Sequence, residues 1–216
     1  ADRHAMADAA TDSGPRNRLL QAAAELFAAR GYDGTAVRGI VASAGTNLNA
    51  VNYYFGSKRA LYLEVMRSQF ALNQRTTSIP PGGASQSGSL QERLHGFVLA
   101  TLRQFLDARS LLPRLTALEI LNPSPAFDEL IATTHADEQR ELTLIVRELL
   151  GPQAPPERVN ACVRSVLSQC VYYLFMRDAL LRSQPPMSLE RAAVESIAAH
   201  ITEFSMAALR GLSDDH

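Results

Sequence analysis

No run of about 18 apolar residues occurs in this chain, so a membrane-spanning helix is not expected. The 216 residues hold only two cysteines, Cys162 and Cys170, eight positions apart in one helical stretch. That spacing puts them about 12 Å apart along a helix axis, beyond the roughly 7 Å between Cα atoms that a disulfide tolerates. They read as small core residues in a reducing cytoplasm, with a cross-dimer disulfide or a redox role as the alternative. A G-x-S-x-G nucleophile turn, a Gly-rich phosphate loop and paired-cysteine metal spacing are all missing, so an enzyme is not expected, nor a cofactor. His135 and Glu138 share a helix face at a spacing that metals use, with His95, Glu119 or His200 as additions. Isolated histidines on polar faces are far commoner, and no metal site is expected. There are no internal repeats, no sustained heptads and almost no strand signal.

The near-zero net charge of -1 becomes informative once it is divided. Residues 14–60 carry six basic side chains (Arg16, Arg18, Arg30, Arg38, Lys58, Arg59) against Glu25 and Asp33, a local balance of +4. From residue 61 onward, fourteen basic side chains face seventeen acidic ones, a balance of -3. A basic head suited to a phosphate backbone therefore sits on an acidic body. Ahead of it, residues 1–13 read as a disordered arm, Ala1 to His4 being a tag remnant.

Within the head, Leu19, Leu20, Ala23, Leu26 and Phe27 recur at helical spacing between Arg16 and Arg30, and Gly31 follows as a C′ residue. Thr35 is placed to cap a short helix, Ala36 to Ala44, whose Val37, Ile40 and Val41 would pack on the first. Gly45 breaks it. Thr46 or Asn47 would cap a third helix ending near Phe55, with Val51 and Phe55 inward. Ser57 would cap a fourth, Lys58 to about Leu72, carrying Leu61, Tyr62, Val65 and Met66.

Two short helices joined by a Gly-containing turn and braced by an apolar helix describe a helix-turn-helix whose second short helix reads DNA. Off its core face lie Asn47, Leu48, Asn49, Asn52 and Tyr53, with Ala50 and Tyr54 beside them and Thr35, Arg38 and Thr46 on the approach. Asparagine can donate and accept at adenine N6/N7, leucine suits a thymine methyl, and tyrosine hydroxyls reach phosphates or base edges. Helix N-terminal amides and Lys58 suit phosphates. Each residue also has a plainer role open to it: Asn47 as a cap, Tyr54 as packing against helix one.

The segment ELFAARGYDGTAVRGIVASAGTNLNAVNYYFGSKRALY, within residues 16–62, resembles the N-terminal domain of the TetR family of bacterial transcriptional regulators. That family shows a helix ending in LF...RGY, then T...I...AG, then a recognition helix ending in YYHF and a small-residue–Lys cap. Asn52 stands where the first tyrosine is common, and Tyr54 where histidine is. The NLNAVNYYFGSK variant is similar to a subset that includes fatty-acid-responsive and CerR-like members.

Beyond the head, TTSIPPGGASQSGS (residues 76–89) has no apolar periodicity and reads as a flexible loop. Helices are then expected over about Leu90–Asp107, Pro113–Leu121, Pro125–Leu150, Pro156–Arg182 and Leu189–Leu212, the third opened by the turn Asn122-Pro123-Ser124-Pro125. The fold expected is all-α with about nine helices: a three-helix head at 14–60 and a helical body at 61–216. The last two helices carry apolar stripes, Val163, Val166 and Cys170 on one and Val194, Ile197, Ile201, Phe204 and Ala208 on the other. Such stripes can form an internal core or meet across a two-fold axis. The resemblance implies the second, a homodimer built on a four-helix bundle. It also implies an effector pocket in the body, where Phe97, Phe105, Leu118, His135, Tyr173 and Met176 are candidates for a hydrophobic small molecule. The function so expected is a cytoplasmic, ligand-responsive repressor on a palindromic double-stranded DNA operator. An activator or architectural protein without a small-molecule signal is the alternative.

Overall fold

A computed structural model describes residues 14–77, 88–107, 109–130 and 136–213. Among these the chain is all-helical, with ten helices: α1 Pro15–Arg30, α2 Val37–Ser43, α3 Asn49–Phe55, α4 Lys58–Thr77, α5 Leu90–Leu106, α6 Leu112–Leu121, α7 Phe127–Leu130, α8 Ala136–Leu150, α9 Pro156–Leu181 and α10 Arg191–Ser213. The stretch expected as one helix from Pro125 to Leu150 is described as α7 and α8, and residues 131–135 between them lie outside those described. Helix α4 runs on to Thr77, into the expected loop, whose residues 78–87 lie outside those described.

The described residues fall into two compact units. One holds residues up to Ala71 together with Arg114–Leu130; the other holds Leu72–Pro113 and residues from Ile131 onward. In the first, α1 starts on Pro15, whose fixed φ suits the first helical position. It buries Leu19, Ala22, Ala23, Ala24, Phe27 and Ala28, the small alanines letting α2 and α3 approach closely. The ring of Tyr62 from α4 stands edge-on to Phe27 at 4.8 Å and to Tyr32 at 5.2 Å. Segment 114–130 joins this unit through buried polar groups: the Tyr62 hydroxyl donates to Glu119 Oε2 at 2.6 Å, and Glu119 Oε1 accepts from the Ser124 amide (3.0 Å) and hydroxyl (2.7 Å). Ser124 in turn accepts from the Ala126 amide. Arg59 and Arg67 add ion pairs to the two oxygens of Glu129.

The second unit is a helical bundle in which α5, α8, α9 and α10 share one apolar core. Helix α5 opens with a reciprocal cap: the Ser89 hydroxyl accepts from the Glu92 amide, and Glu92 accepts from the Ser89 amide. Leu94, Phe97, Val98 and Leu102 of α5 meet Leu142, Ile145 and Val146 of α8 and the buried stripes of α9 and α10. Ion pairs Arg93–Glu148 and Arg103–Glu195 join α5 to α8 and α10 at the surface. The Arg191 bond holds the Glu195 carboxyl below the usual range. Both cysteines are buried and unpaired, and burial pushes the Cys170 thiol up to about 12.

Candidate nucleic-acid interface

Helices α2 and α3 are seven residues each and pack on α1 and on each other. Their connection turns at Gly45, whose φ of 61° is a left-handed conformation that costs glycine little. Backbone bonds from Ala44 to Ile40 and from Thr46 to Val41 close that turn. Gly56, at φ 80°, ends α3 in the same way and lets α4 start two residues later. The expected helix-turn-helix is therefore present, with α3 as its second short helix.

The outer face of α3 carries the side chains expected there. Asn49, Asn52 and Tyr53 are exposed, Tyr53 at 82%, and Leu48 lies half open beside them. Ala50 and Tyr54 are partly covered, and Val51 is buried against the other helices. Tyr53 and Tyr54 stand edge to face at 4.9 Å, which restricts both rings. Asn47 is exposed, and its Oδ1 accepts the Ala50 amide at 3.1 Å, so it supports the start of α3 while facing outward. Arg38 is exposed on α2.

Three of the expected contacts have surroundings that local patterning did not show. Thr35 is 1% exposed, and its hydroxyl donates to the carbonyls of Gly31 (2.7 Å) and Leu26 (3.1 Å) at the end of α1. It closes α1 and neither caps α2, whose N-cap is Ala36, nor offers its side chain to a ligand. The Thr46 hydroxyl oxygen is buried, with no hydrogen-bond partner among the described residues. Lys58 places Nζ 4.1 Å from the centre of the Tyr32 ring, a cation–π contact that holds its charge at the foot of α4. Ser57 caps α4 as expected, accepting from the Ala60 amide.

Two contacts had no signature in the local pattern. The Arg16 guanidinium lies 5.0 Å from the centre of the Phe55 ring while donating to Glu64 Oε1 at 2.8 Å. Arg18 donates its Nε–H to the Ala44 carbonyl at the end of α2. A charge count reads both arginines as partners for phosphate; only the packing of three helices shows what they hold.

The expected body residues separate. Val163, Val166, Cys170, Val194, Ile197 and Ile201, expected at a subunit interface, are at most 7% exposed and lie in the core of their own unit. These stripes of α9 and α10 are covered by α5 and α8 of the same chain. Of the eight, only Phe204 (61% exposed) and Ala208 face outward. Tyr172, Phe175 and Met176 form a second, unclaimed apolar stripe on α9 at helical spacing. Among the effector candidates, Phe97 is buried in the core, Phe105 and Tyr173 pack partly covered against it, and Met176 is exposed. Leu118 belongs to the first unit, where it lines a recess of about 150 Å³ with Tyr62, Glu119, Asn122 and the Arg30–Gly34 turn. His135 lies outside the described residues, and among those described no histidine, cysteine and carboxylate group gathers in threes as a metal would need. No described helix is long and apolar enough to cross a membrane.

Residues 19–65 match the family described as bacterial regulatory proteins, tetR family, and residues 90–212 match the C-terminal domain of the HTH-type transcriptional dual regulator CecR. A probable HTH-type transcriptional regulator of Bacillus subtilis, YttP, is 29% identical over 133 residues, covering 62% of this chain and 63% of that protein. The chain's match thus spans less than two thirds of that relative. Among solved structures, the TetR family regulator PfmR of Thermus thermophilus is similar with TM-score 0.60 and 19% identity, over 88% of this chain and 95% of that one. KstR2 of Mycobacterium tuberculosis, a ketosteroid transcriptional regulator, gives TM-score 0.59 and 18% identity over 90% and 94%. At such identities these structures speak to the fold alone.

Proposed function

Because the chain belongs to the TetR family of bacterial regulatory proteins, with a CecR-type C-terminal domain, we propose that it is a cytoplasmic, ligand-responsive repressor. It binds a palindromic operator as a homodimer and leaves it when a small hydrophobic effector occupies the body. The observation that carries the reading is the outer face of α3: Asn49, Asn52 and Tyr53 stand exposed on a helix held from behind by Val51. Asparagines on such a helix suit adenine edges, and Arg38 and Lys58 flank them with positive charge. One seven-residue helix reaches few base pairs, so useful affinity asks for two copies. The exposed apolar side chains Tyr172, Phe175 and Met176 of α9 and Phe204 and Ala208 of α10 support the reading that two copies meet through these helices. Partly covered Phe105 and Tyr173 against the body core favour an apolar or aromatic effector. That the namesake of the C-terminal domain is called a dual regulator supports a second reading, in which the same protein activates other promoters.

Selection of duplexes from a randomised pool, followed by footprinting, tests the proposal. A palindrome with half-sites a helical turn or more apart is expected, with affinity falling steeply as salt rises. Lys58→Ala should weaken every duplex alike and lower the salt slope by about one. Asn49→Ala and Asn52→Ala should instead change base preference at single positions, each by about 1–3 kcal/mol. Equal, sequence-blind losses in all three variants would refute the assigned readers. Hydrophobic small molecules titrated into the complex should release DNA with at least one of them; if none changes DNA affinity, the protein is an activator or architectural factor without such a signal.

A further inference from the structure

Helix α3 has few means of holding its own direction. Seven residues are too few for a helix to persist alone, its start has only the exposed Asn47 bond to the Ala50 amide, and of its residues only Val51 is fully buried. At its last residue, however, the Phe55 ring is overlaid by the Arg16 guanidinium of α1, 5.0 Å from the ring centre. The same guanidinium donates through Nη2 to Glu64 Oε1 of α4 at 2.8 Å. One planar cation thus touches three helices at the exit of the reading helix. Arginine suits the place because its flat face stacks on a ring while its edge donates to a carboxylate, which an ammonium cannot do together. Base readout depends on hydrogen bonds that weaken steeply with small displacements, so the direction of α3 matters to specificity.

We propose that Arg16 and Glu64 are positioning residues for DNA reading: through Phe55 they hold α3 at the angle its asparagines need, and Arg16 is not a phosphate ligand. The proposal rests on α3 being the reader. Its test uses the full chain and three variants, Arg16→Lys, Arg16→Met and Glu64→Ala. Each is titrated over a salt series against a duplex that the wild-type protein selects from a randomised pool and against a scrambled duplex of the same composition. Glu64→Ala decides most, because the two roles predict opposite signs. Removing a carboxylate from a basic head strengthens DNA binding if only charge matters. Loss of the clamp weakens it, by about fivefold on the selected duplex, with scrambled binding no weaker. Arg16→Lys keeps the charge and loses the stacking, and should show a similar loss on the selected duplex alone. Arg16→Met should leave the slope of log affinity against log salt unchanged, whereas a phosphate ligand would lose about 0.9 from it.

Circular dichroism melts accompany each variant. The pair is partly exposed, at 44% and 36%, so Glu64→Ala should fold normally and can decide the matter even if an Arg16 variant does not. Unchanged or tighter binding by Glu64→Ala, or a slope reduced by about one in Arg16→Met, overturns the proposal. If the wild-type protein selects no duplex, the reading role of α3 falls first, and the proposal with it.

Discussion

Replacing Tyr62 by phenylalanine removes one oxygen from a buried polar contact in the first unit. The Tyr62 hydroxyl donates to Glu119 Oε2 at 2.6 Å, and the two residues are 2% and 5% exposed. Burial, with the neighbouring carboxylate as a smaller cause, raises the Tyr62 pKa well above its usual value, so the hydroxyl stays a donor at any working pH. Phenylalanine keeps the edge-on contacts with Phe27 and Tyr32, so the packing term is nearly unchanged and the loss is electrostatic. Glu119 retains the Ser124 amide and hydroxyl on Oε1, while Oε2 is left buried without a donor. A hydrogen bond to a charged group contributes about 1.5–3 kcal/mol, so a loss of about 2 kcal/mol is expected, roughly 30-fold in the unfolding equilibrium. The chain has no tryptophan and six tyrosines, so tyrosine fluorescence through a urea titration reports directly, alongside far-ultraviolet dichroism. In a Glu119→Gln background the contact with Tyr62 is between neutral groups and the same replacement should cost under about 1 kcal/mol. A Tyr62→Phe loss below about 0.5 kcal/mol, or equal losses in both backgrounds, would refute the idea that this bond fastens segment 114–130 to α4.

Other perturbations separate the roles of neighbouring residues. Phe204→Glu should give folded monomers by sedimentation with little loss of helicity, since that ring is 61% exposed, whereas Ile201→Glu, at a position 2% exposed, should unfold the body. Parent protein that sediments as a monomer would remove the dimer from the proposal. With its thiol near pKa 12, Cys170 is roughly one part in ten thousand thiolate at pH 8, and Cys162 is also raised by burial. Neither should react with iodoacetamide until the protein is denatured; rapid native labelling would revive a redox role. Burial raises the Glu141 carboxyl despite the nearby Arg93 charge, so the fold favours its protonated form. That advantage is complete below the ordinary carboxylate range and is lost as pH rises through the folded value. Glu141→Gln should therefore raise the unfolding free energy from urea titration at pH 7, by less than about 1 kcal/mol, and make little difference near pH 4. A larger gain at pH 4 would contradict this sign.

What the sequence alone determined lies where function depends on neighbours in the chain. The turn at Gly45, the exposed asparagines of α3, the apolar faces of α1 and α4 and the breaks at Gly31 and Gly56 all follow from helical period and local backbone freedom, and they made the head legible. What only the tertiary structure decided are partnerships between distant residues. Thr35 has the side chain of a cap, but the end of α1 captures its hydroxyl. Arg16 and Lys58 have the charge of phosphate ligands, yet Phe55, Glu64 and Tyr32 lie against them. The return of residues 114–130 to the first unit rests on Tyr62, fifty-seven positions from Glu119. The apolar stripes of α9 and α10 show the same limit: periodicity says that a face is buried but not by what, and here α5 and α8 of the same chain cover it, leaving Phe204 and Tyr172 outside. A side chain's chemistry is local, but its partner is chosen by the packing of the whole unit.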